Sequence, residues 1–342
     1  MNFLSVCSGI EAASAAWHPL GWKACAFSEI EKFPSAVLSH HYPDTPNYGD
    51  MTNYKDWPDA TFDVLVGGTP CQSFSIAGLR QGLADPRGNL MLVYLGLLDR
   101  FRPEWMVWEN VPGVLSSNGG RDFGTFLGGL GQLGYGFAYR VLDAQYFGLA
   151  QRRKRVFVVG CLGDWRRAAA VLFEPESLSG HPAPRREAGK GVAPTLSART
   201  KSGGGLGTDF DCDGGLVAHT LRGEGFSAGE DGTGRGTPLV PICFSTKDHG
   251  ADAMTDLSPT LRAGGHNSSH ANAGVMPAIT QGWRVRRLTP RECERLQGFP
   301  DDYTAIPYRG KPAADGPRYK ALGNSMAVPV MRWIGERMEA LT

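Results

Sequence analysis

Residues 1–165 alternate short apolar runs with stretches of helical character, and that alternation leaves few folds open. "NFLSVC" (2–7), "KACAFSE" (23–29), "FDVLVGG" (62–68) and "EWMVWENV" (104–111) read as strands. "GFAYRVLDA" (136–144) and "RVFVVGCL" (155–162) complete the series. Between them, "IEAASAAWHPLG" (10–21), "EKFPSAVLSHHY" (31–42), "NLMLVYLGLLDRF" (89–101) and "GTFLGGLGQLGY" (124–135) read as helices. Nearly continuous apolar strands that alternate with helices are the pattern of a parallel sheet covered on both faces. The fold class is therefore α/β.

In such sheets, ligands gather at the carboxyl ends of the strands. Ser8 and Gly9 follow the first strand, and Glu29 ends the second. Gly67–Cys71 follow the third, and Glu109 and Asn110 end the fourth. The corner "CSGIEAAS" (7–14) is a strand, a glycine turn and a helix start, but Glu11 and Ala12 stand where a dinucleotide fingerprint has later glycines. An acidic Glu11 at a helix start disfavours phosphate and favours a ligand that carries an amino group. Glu29 is placed to accept hydrogen bonds from ribose hydroxyls, and Asp50 in "YGDM" is a third carboxylate of this kind. Three carboxylates suit adenosine with a zwitterionic tail better than a dinucleotide.

From about 166 to 283 the character changes. Glycine, serine and threonine dominate, and "APTLSAR" (193–199), "AHTLRGE" (218–224) and "SPTLRAG" (258–264) recur at an irregular period. This stretch reads as a small, loop-rich region of short strands. Regularity returns in 284–342. "TPRECERLQGF" (289–299) starts a helix with Thr289 as cap, Pro290 at the first position and Glu292 three residues on. "NSMAVPVMRWIGERMEAL" (324–341) reads as a terminal helix whose start lies nearer Val328, because Pro329 belongs in a first turn.

The 35 Lys+Arg nearly balance the 34 Asp+Glu, so net charge argues neither for nor against a nucleic-acid partner. The seven cysteines form no CxxC pair and the eight histidines add no metal spacing, so no metal site is expected and a reduced, cytoplasmic setting fits. No apolar run nears a membrane-spanning length of about 18 residues.

"PCQ" (70–72), "ENV" (109–111) and "QRRKR" (151–155) carry a loop cysteine, a strand-end glutamate and an arginine cluster. A cysteine becomes a nucleophile when its proton is taken, a glutamate can hydrogen-bond an electron-poor ring, and arginines hold phosphates or polarise a carbonyl. Each has a plain structural reading as well: a loop cysteine, a strand-end ion pair, a solvated basic turn.

In ordered blocks the chain resembles the carbon-5 cytosine-specific DNA methyltransferases of bacterial and phage type. The blocks are "FLSVCSGIEAASAAW", "SEIEK", "GDM", "GGTPCQSFSIAGLRQGLADPRGNL", "WENVPGV", "VLDAQYFGLAQRRKRVFVVG", "RRLTPRECERLQGFPDDY" and "YKALGNSMAVPV". They cover 1–162 and 284–342, while 166–283 matches nothing specific. The resemblance implies a Rossmann-like S-adenosylmethionine-dependent methyltransferase fold with a smaller, loop-rich target-recognition domain. The catalytic and cofactor-binding domain would be 1–165 plus 284–342, with the terminal helix packed back onto it; 166–283 would be the variable target-recognition domain.

It also implies roles. Cys71 would add to carbon 6 of cytosine, Glu109 would bind ring nitrogen 3 and the exocyclic amine, Arg155 would hold the carbonyl oxygen, and Arg153 would support the site or a phosphate. The cofactor S-adenosylmethionine, leaving as S-adenosylhomocysteine, would touch Ser8, Gly9, Ile10, Glu29, Ile30, Asp50, Met51, Thr69, Asn324 and Ser325. Gln72, Ser73, Arg80 and Arg87 of the mobile loop would meet DNA, and Arg222 and Arg262 are candidate base or phosphate readers. One of Thr195–Leu196, Thr220–Leu221 and Thr260–Leu261 would match a Thr-Leu element of family recognition regions. The partner would be double-stranded DNA, reached by base flipping, with no membrane. A monomer is expected, in a bacterial cytoplasm or expressed there from a phage, with a cognate restriction endonuclease as a functional partner rather than in a stable complex. An RNA methyltransferase is disfavoured by the long Gly-rich region and by the lack of a "CFT" tripeptide. A vestigial DNA-binding regulator is disfavoured because Cys71, Glu109 and Arg155 are all present.

Overall fold

The computed structural model describes residues 1–70, 90–174, 243–245, 257–258, 277–281 and 284–342. Six strands form the central sheet: β1 (Asn2–Val6), β2 (Lys23–Ser28), β3 (Val64–Gly67), β4 (Trp105–Asn110), β5 (Tyr135–Asp143) and β6 (Lys154–Leu162). Their spatial order is β2-β1-β3-β4-β6-β5. β2, β1, β3 and β4 pair in parallel. β6 runs antiparallel to both β4 and β5, which corrects the expectation of a wholly parallel sheet. A ten-residue connection, 144–153, joins Asp143 to Lys154 at the start of β6, too short for the helical crossover that parallel neighbours need.

Side chains alternate between two cores, as the period-two geometry of strands requires. Phe3, Val64, Val66, Trp105, Val107, Phe157 and Val159 face one side. There they pack with α1 (Ala12–Trp17), α5 (Trp165–Leu172) and α8 (Val328–Glu339). Leu4, Val6, Leu65, Met106, Trp108, Val156 and Val158 face the other, under α3 (Leu90–Phe101) and α4 (Arg121–Gln132). The first expected helix is shorter than its sequence span: α1 ends at Trp17, and Pro19 sits in a 3-10 turn over His18–Leu20. α2 (Lys32–His41) tolerates Pro34 in its first turn, where a missing N–H costs nothing.

The C-terminal segment returns to the sheet. α6 (Pro290–Gln297) has the expected capping box of Thr289 and Glu292 and stops at Gly298 in left-handed conformation. α7 (Asp315–Asn324) follows. α8 then lies on α1, where the indole Nε1 of Trp17 donates 2.7 Å to the carbonyl of Met331. Strands β7 (Cys243–Ser245), β8 (Pro277–Gln281) and β9 (Arg284–Arg287) form a separate antiparallel sheet in the order β7-β8-β9. Among the described residues, no helix is long and apolar enough to cross a membrane.

Candidate active site and cofactor cleft

The site lies along the carboxyl edge of β1–β4. The turn after β1 holds three residues of positive φ: Cys7 (48°), Gly9 (56°) and Glu11 (68°). Only glycine adopts this conformation cheaply; for the other two it costs on the order of 1–2 kcal/mol each. The turn is held from β1 and β2: Ser8 Oγ donates 2.9 Å to Ser5 O, and Ser28 N donates 3.2 Å to Ser8 Oγ. Glu29 fixes it further, accepting from Gly9 N at 2.8 Å and from Glu31 N at 2.6 Å. Burial raises the Glu29 carboxyl above its usual range, although these two N–H groups pull it back. Asp50 caps a 3-10 turn by accepting 2.9 Å from Thr52 N. The Cys7 thiol is driven up to about 12, mainly by burial and then by Glu29 and Asp50, so it is inert; it packs on Met51 with sulfurs 3.5 Å apart.

A cleft of about 670 Å³ opens here. Gly9, Glu29, Ile30, Asp50, Met51, Thr69 and Asn324 of the expected cofactor residues line it, as do Glu109, Arg153 and Arg155. Ser8 and Ser325 line a smaller annex of about 40 Å³ beside it. Ile10 is the exception: it is fully buried in the core between sheet and helices, and only its carbonyl is engaged, by Tyr303 Oη at 3.0 Å. Ile30 is 70% exposed at the cleft mouth, an apolar surface free to meet a ring.

Thr69 is gripped from both ends. Trp108 Nε1 donates 3.0 Å to its hydroxyl, and Asn110 Nδ2 donates 2.8 Å to its carbonyl. These bonds aim Pro70 into the cleft wall. Gly68 leaves room for the site's side chains: a Cβ there would fall 2.9 Å from Glu109 Oε2 and 3.3 Å from Met326 Cε, so both side-chain ends would have to shift.

Glu109 and Arg155 meet across the β4–β6 pair, with Arg155 Nε 3.0 Å from Glu109 Oε1. The reversal of β6 is what brings the amino-terminal Arg155 to the edge where β4 ends, since Glu109 registers with Phe157 and Asn110 with Val156. Burial raises the Glu109 carboxyl, against the pull of Arg155 and Arg153. Arg153 points inward, 2% exposed, and donates to Gly323 O at 3.1 Å and Ser325 O at 2.6 Å. Burial lowers its guanidinium to about 9, so it stays charged at neutral pH. These bonds carry the strand-end arginines to the segment of Asn324 and Ser325, from 170 residues further along the chain.

Cys71, Gln72, Ser73, Arg80, Arg87, Arg222 and Arg262 lie outside the described residues, as do all three Thr-Leu pairs. Ser258, which opens the third repeat, is described. Its N–H donates 2.9 Å to Ala150 O, and its carbonyl accepts 3.1 Å from Arg152 N. The structure thus ties the start of "SPTLRAG" to "QRRKR", a pairing that nothing in the sequence signalled.

The cleft suits S-adenosylmethionine on its own chemistry. Glu29 and Asp50 could accept from ribose hydroxyls, Ile30 and Met51 offer apolar surface, and Glu11 Oε2 is a buried acceptor with no hydrogen-bond partner. Fold and site together define an S-adenosylmethionine-dependent methyltransferase. A family model described as C-5 cytosine-specific DNA methylase matches residues 1–340. The chain therefore belongs to that family and is a DNA cytosine-5-methyltransferase. Type II methyltransferase M.HpaII of Haemophilus parainfluenzae is 30% identical over 356 residues, covering 98% of this chain and 88% of its own length. A DNA N-6-adenine-methyltransferase of Escherichia phage P1 is 38% identical over 461 residues, covering 98% of this chain. The chain spans 60% of that relative's length. The solved structure of S. pombe Dnmt2 shares the fold, with a TM-score of 0.63 at 18% identity, over 100% of this chain and 99% of its own.

Proposed function

We propose that the chain methylates a flipped-out cytosine within a specific duplex DNA sequence, through a covalent bond between Cys71 and carbon 6 of the base. The observation that carries this reading is the Arg155–Glu109 pair at the cleft, one strand away from the Thr69–Pro70 lead into Cys71. Ser8, Gly9, Glu29, Ile30, Asp50, Met51, Thr69, Asn324 and Ser325 would hold S-adenosylmethionine, which supplies an electrophilic methyl group when bound. Ile10 would contribute only through its backbone.

Carbon 5 of an aromatic pyrimidine is a poor nucleophile. Addition of the Cys71 thiolate to carbon 6 turns it into an enamine carbon, able to attack that methyl group. Glu109, whose carboxyl burial raises against the pull of Arg155 and Arg153, would hydrogen-bond ring nitrogen 3 and the exocyclic amine. Arg155 would hold the carbonyl oxygen and take up developing charge. Arg153 acts behind them by fixing the Asn324–Ser325 segment. Loss of the carbon-5 proton then lets the carbon–sulfur bond break and returns Cys71. Flipping the base costs about a few kcal/mol of unstacking.

The catalytic domain in this reading is 1–165 plus 284–342 with the variable region between. α5 straddles that boundary and packs on the sheet, which supports a catalytic part that includes all of α5. The Gln72–Leu90 loop and the variable region would supply the DNA contacts, Gln72, Ser73, Arg80, Arg87, Arg222 and Arg262 among them. The protein would act as a monomer in the cytoplasm, alongside a restriction endonuclease or as an orphan.

Duplex DNA carrying 5-fluorocytosine tests the reading, because fluorine at carbon 5 cannot leave as a proton does. The expected result is a denaturant-stable protein–DNA complex whose DNA-linked peptide contains Cys71. Cys71→Ala should give no complex and no methyl transfer while binding S-adenosylhomocysteine as before. A complex formed by Cys71→Ala would overturn the assignment.

A further inference from the structure

Glu11 is outside the catalytic set and the expected cofactor contacts, although its acidity already favours a ligand that carries an amino group. It is fully buried. Its backbone is left-handed, at φ 68° and ψ 63°. One carboxylate oxygen, Oε1, caps α1, accepting from Ser14 N at 3.0 Å and Ser14 Oγ at 3.3 Å. The other, Oε2, is buried without a hydrogen-bond partner. An unpartnered buried carboxylate oxygen is costly, on the order of 1–3 kcal/mol or more. Burial lifts this carboxyl to about 7, even though Ser5 and Ser14 pull it back.

The same residue lines the 40 Å³ annex, whose walls also include Ser8, Gly9, Asn324 and Ser325. Gly9, Gly68, Glu109 and Asn324 are walls of both annex and cleft, so the annex is a recess of the cofactor cleft. It is large enough for a water or for an ammonium group. A water would satisfy Oε2 but leave the charge uncompensated. A cation would satisfy both.

We infer that Glu11 is the counter-charge for the α-ammonium group of the cofactor's amino-acid tail, and so a specificity-determining residue that selects a zwitterionic tail. This rests on the S-adenosylmethionine reading of the cleft. It goes beyond that reading because the adenosine part can bind without it. The chain places a carboxylate where a dinucleotide fingerprint has glycine. The left-handed backbone fits glycine, and the carboxylate adds a ligand at that position.

Isothermal titration of the full chain tests this with three probes. S-adenosylhomocysteine carries the ammonium but no sulfonium. Its deaminated analogue lacks only the ammonium, and 5′-methylthioadenosine lacks the whole tail. Glu11→Gln keeps an oxygen to cap Ser14 and removes the charge. Glu11→Gly removes the side chain at a position whose backbone suits glycine. For both variants the expected result is S-adenosylhomocysteine binding weakened tenfold or more, with the other two probes within about twofold of the native protein. Unchanged binding of S-adenosylhomocysteine by Glu11→Gln overturns the proposal, leaving Glu11 as a helix cap. Equal loss of all three probes in both variants also overturns it, as a structural effect. Failure of the native protein to bind S-adenosylhomocysteine would instead sink the cofactor reading itself.

Discussion

Buried and half-buried carboxylates set the character of the site, and each answers to a different neighbour. Glu109 has Arg155 at 3.0 Å, Glu29 has two backbone N–H groups, and Glu11 has one satisfied oxygen and one bare. The difference predicts a pH signature. Glu11 is raised to about 7 in the folded chain from 4.5. A carboxyl raised on folding contributes stability that is fully present below about 4.5 and is lost as pH rises through about 7. With no cofactor bound, the native protein should therefore lose up to ~3 kcal/mol relative to Glu11→Gln between pH 4.5 and 8. Urea melts of both proteins across that range check it, and parallel curves would show that Glu11 does not titrate there. The sequence reading marked Glu11 as an acidic oddity at a helix start. Its burial and its bare oxygen depend on contacts that no local pattern encodes.

Helix packing turns on close approaches that single residues permit. Gly335 of α8 lies against Trp17 of α1, where a Cβ would fall 2.5 Å from the indole Nε1 and 2.6 Å from Cδ1. That nitrogen is already committed to Met331 O. Gly335→Ala should cost about 1–3 kcal/mol through overpacking, despite the better helix propensity of alanine. A thermal melt reads this directly; a stabilised variant would mean that the two helices slide apart at no cost. The α6 start was legible, because Thr289, Pro290 and Glu292 are local signals. α7 was not: no helix was expected over Asp315–Asn324, although Pro317 lies in a first turn, where proline is tolerated. Strands β1–β6 were all legible from their apolar runs, but the direction of β6 was not. Apolarity reports burial on both faces and carries no information about which neighbour a strand pairs with.

Chain connectivity at the largest scale is held by Arg153. Its guanidinium spans from the start of β6 to the carbonyls of Gly323 and Ser325, joining the amino-terminal sheet to the segment that carries Asn324. Arg153→Met should leave those buried carbonyls short of donors. The expected loss is about 2–4 kcal/mol of stability, with S-adenosylhomocysteine binding weakened about tenfold as Asn324 loses its anchor. Urea melts and titration calorimetry measure the two separately. Native affinity in a destabilised variant would confine Arg153 to a role in the fold. The sequence by itself determined the α/β class, the strand-end placement of Ser8, Gly9, Glu29, Thr69 and Glu109, and the family, because hydrophobic period and motif order are written along the chain. Only the tertiary structure decided that β6 runs backwards and so carries Arg155 to Glu109, that Ile10 turns into the core, and that Glu11 is left with an unpaired oxygen and lines the same recess as Asn324. Those outcomes depend on pairings between residues tens to hundreds of positions apart, and local sequence does not choose such partners.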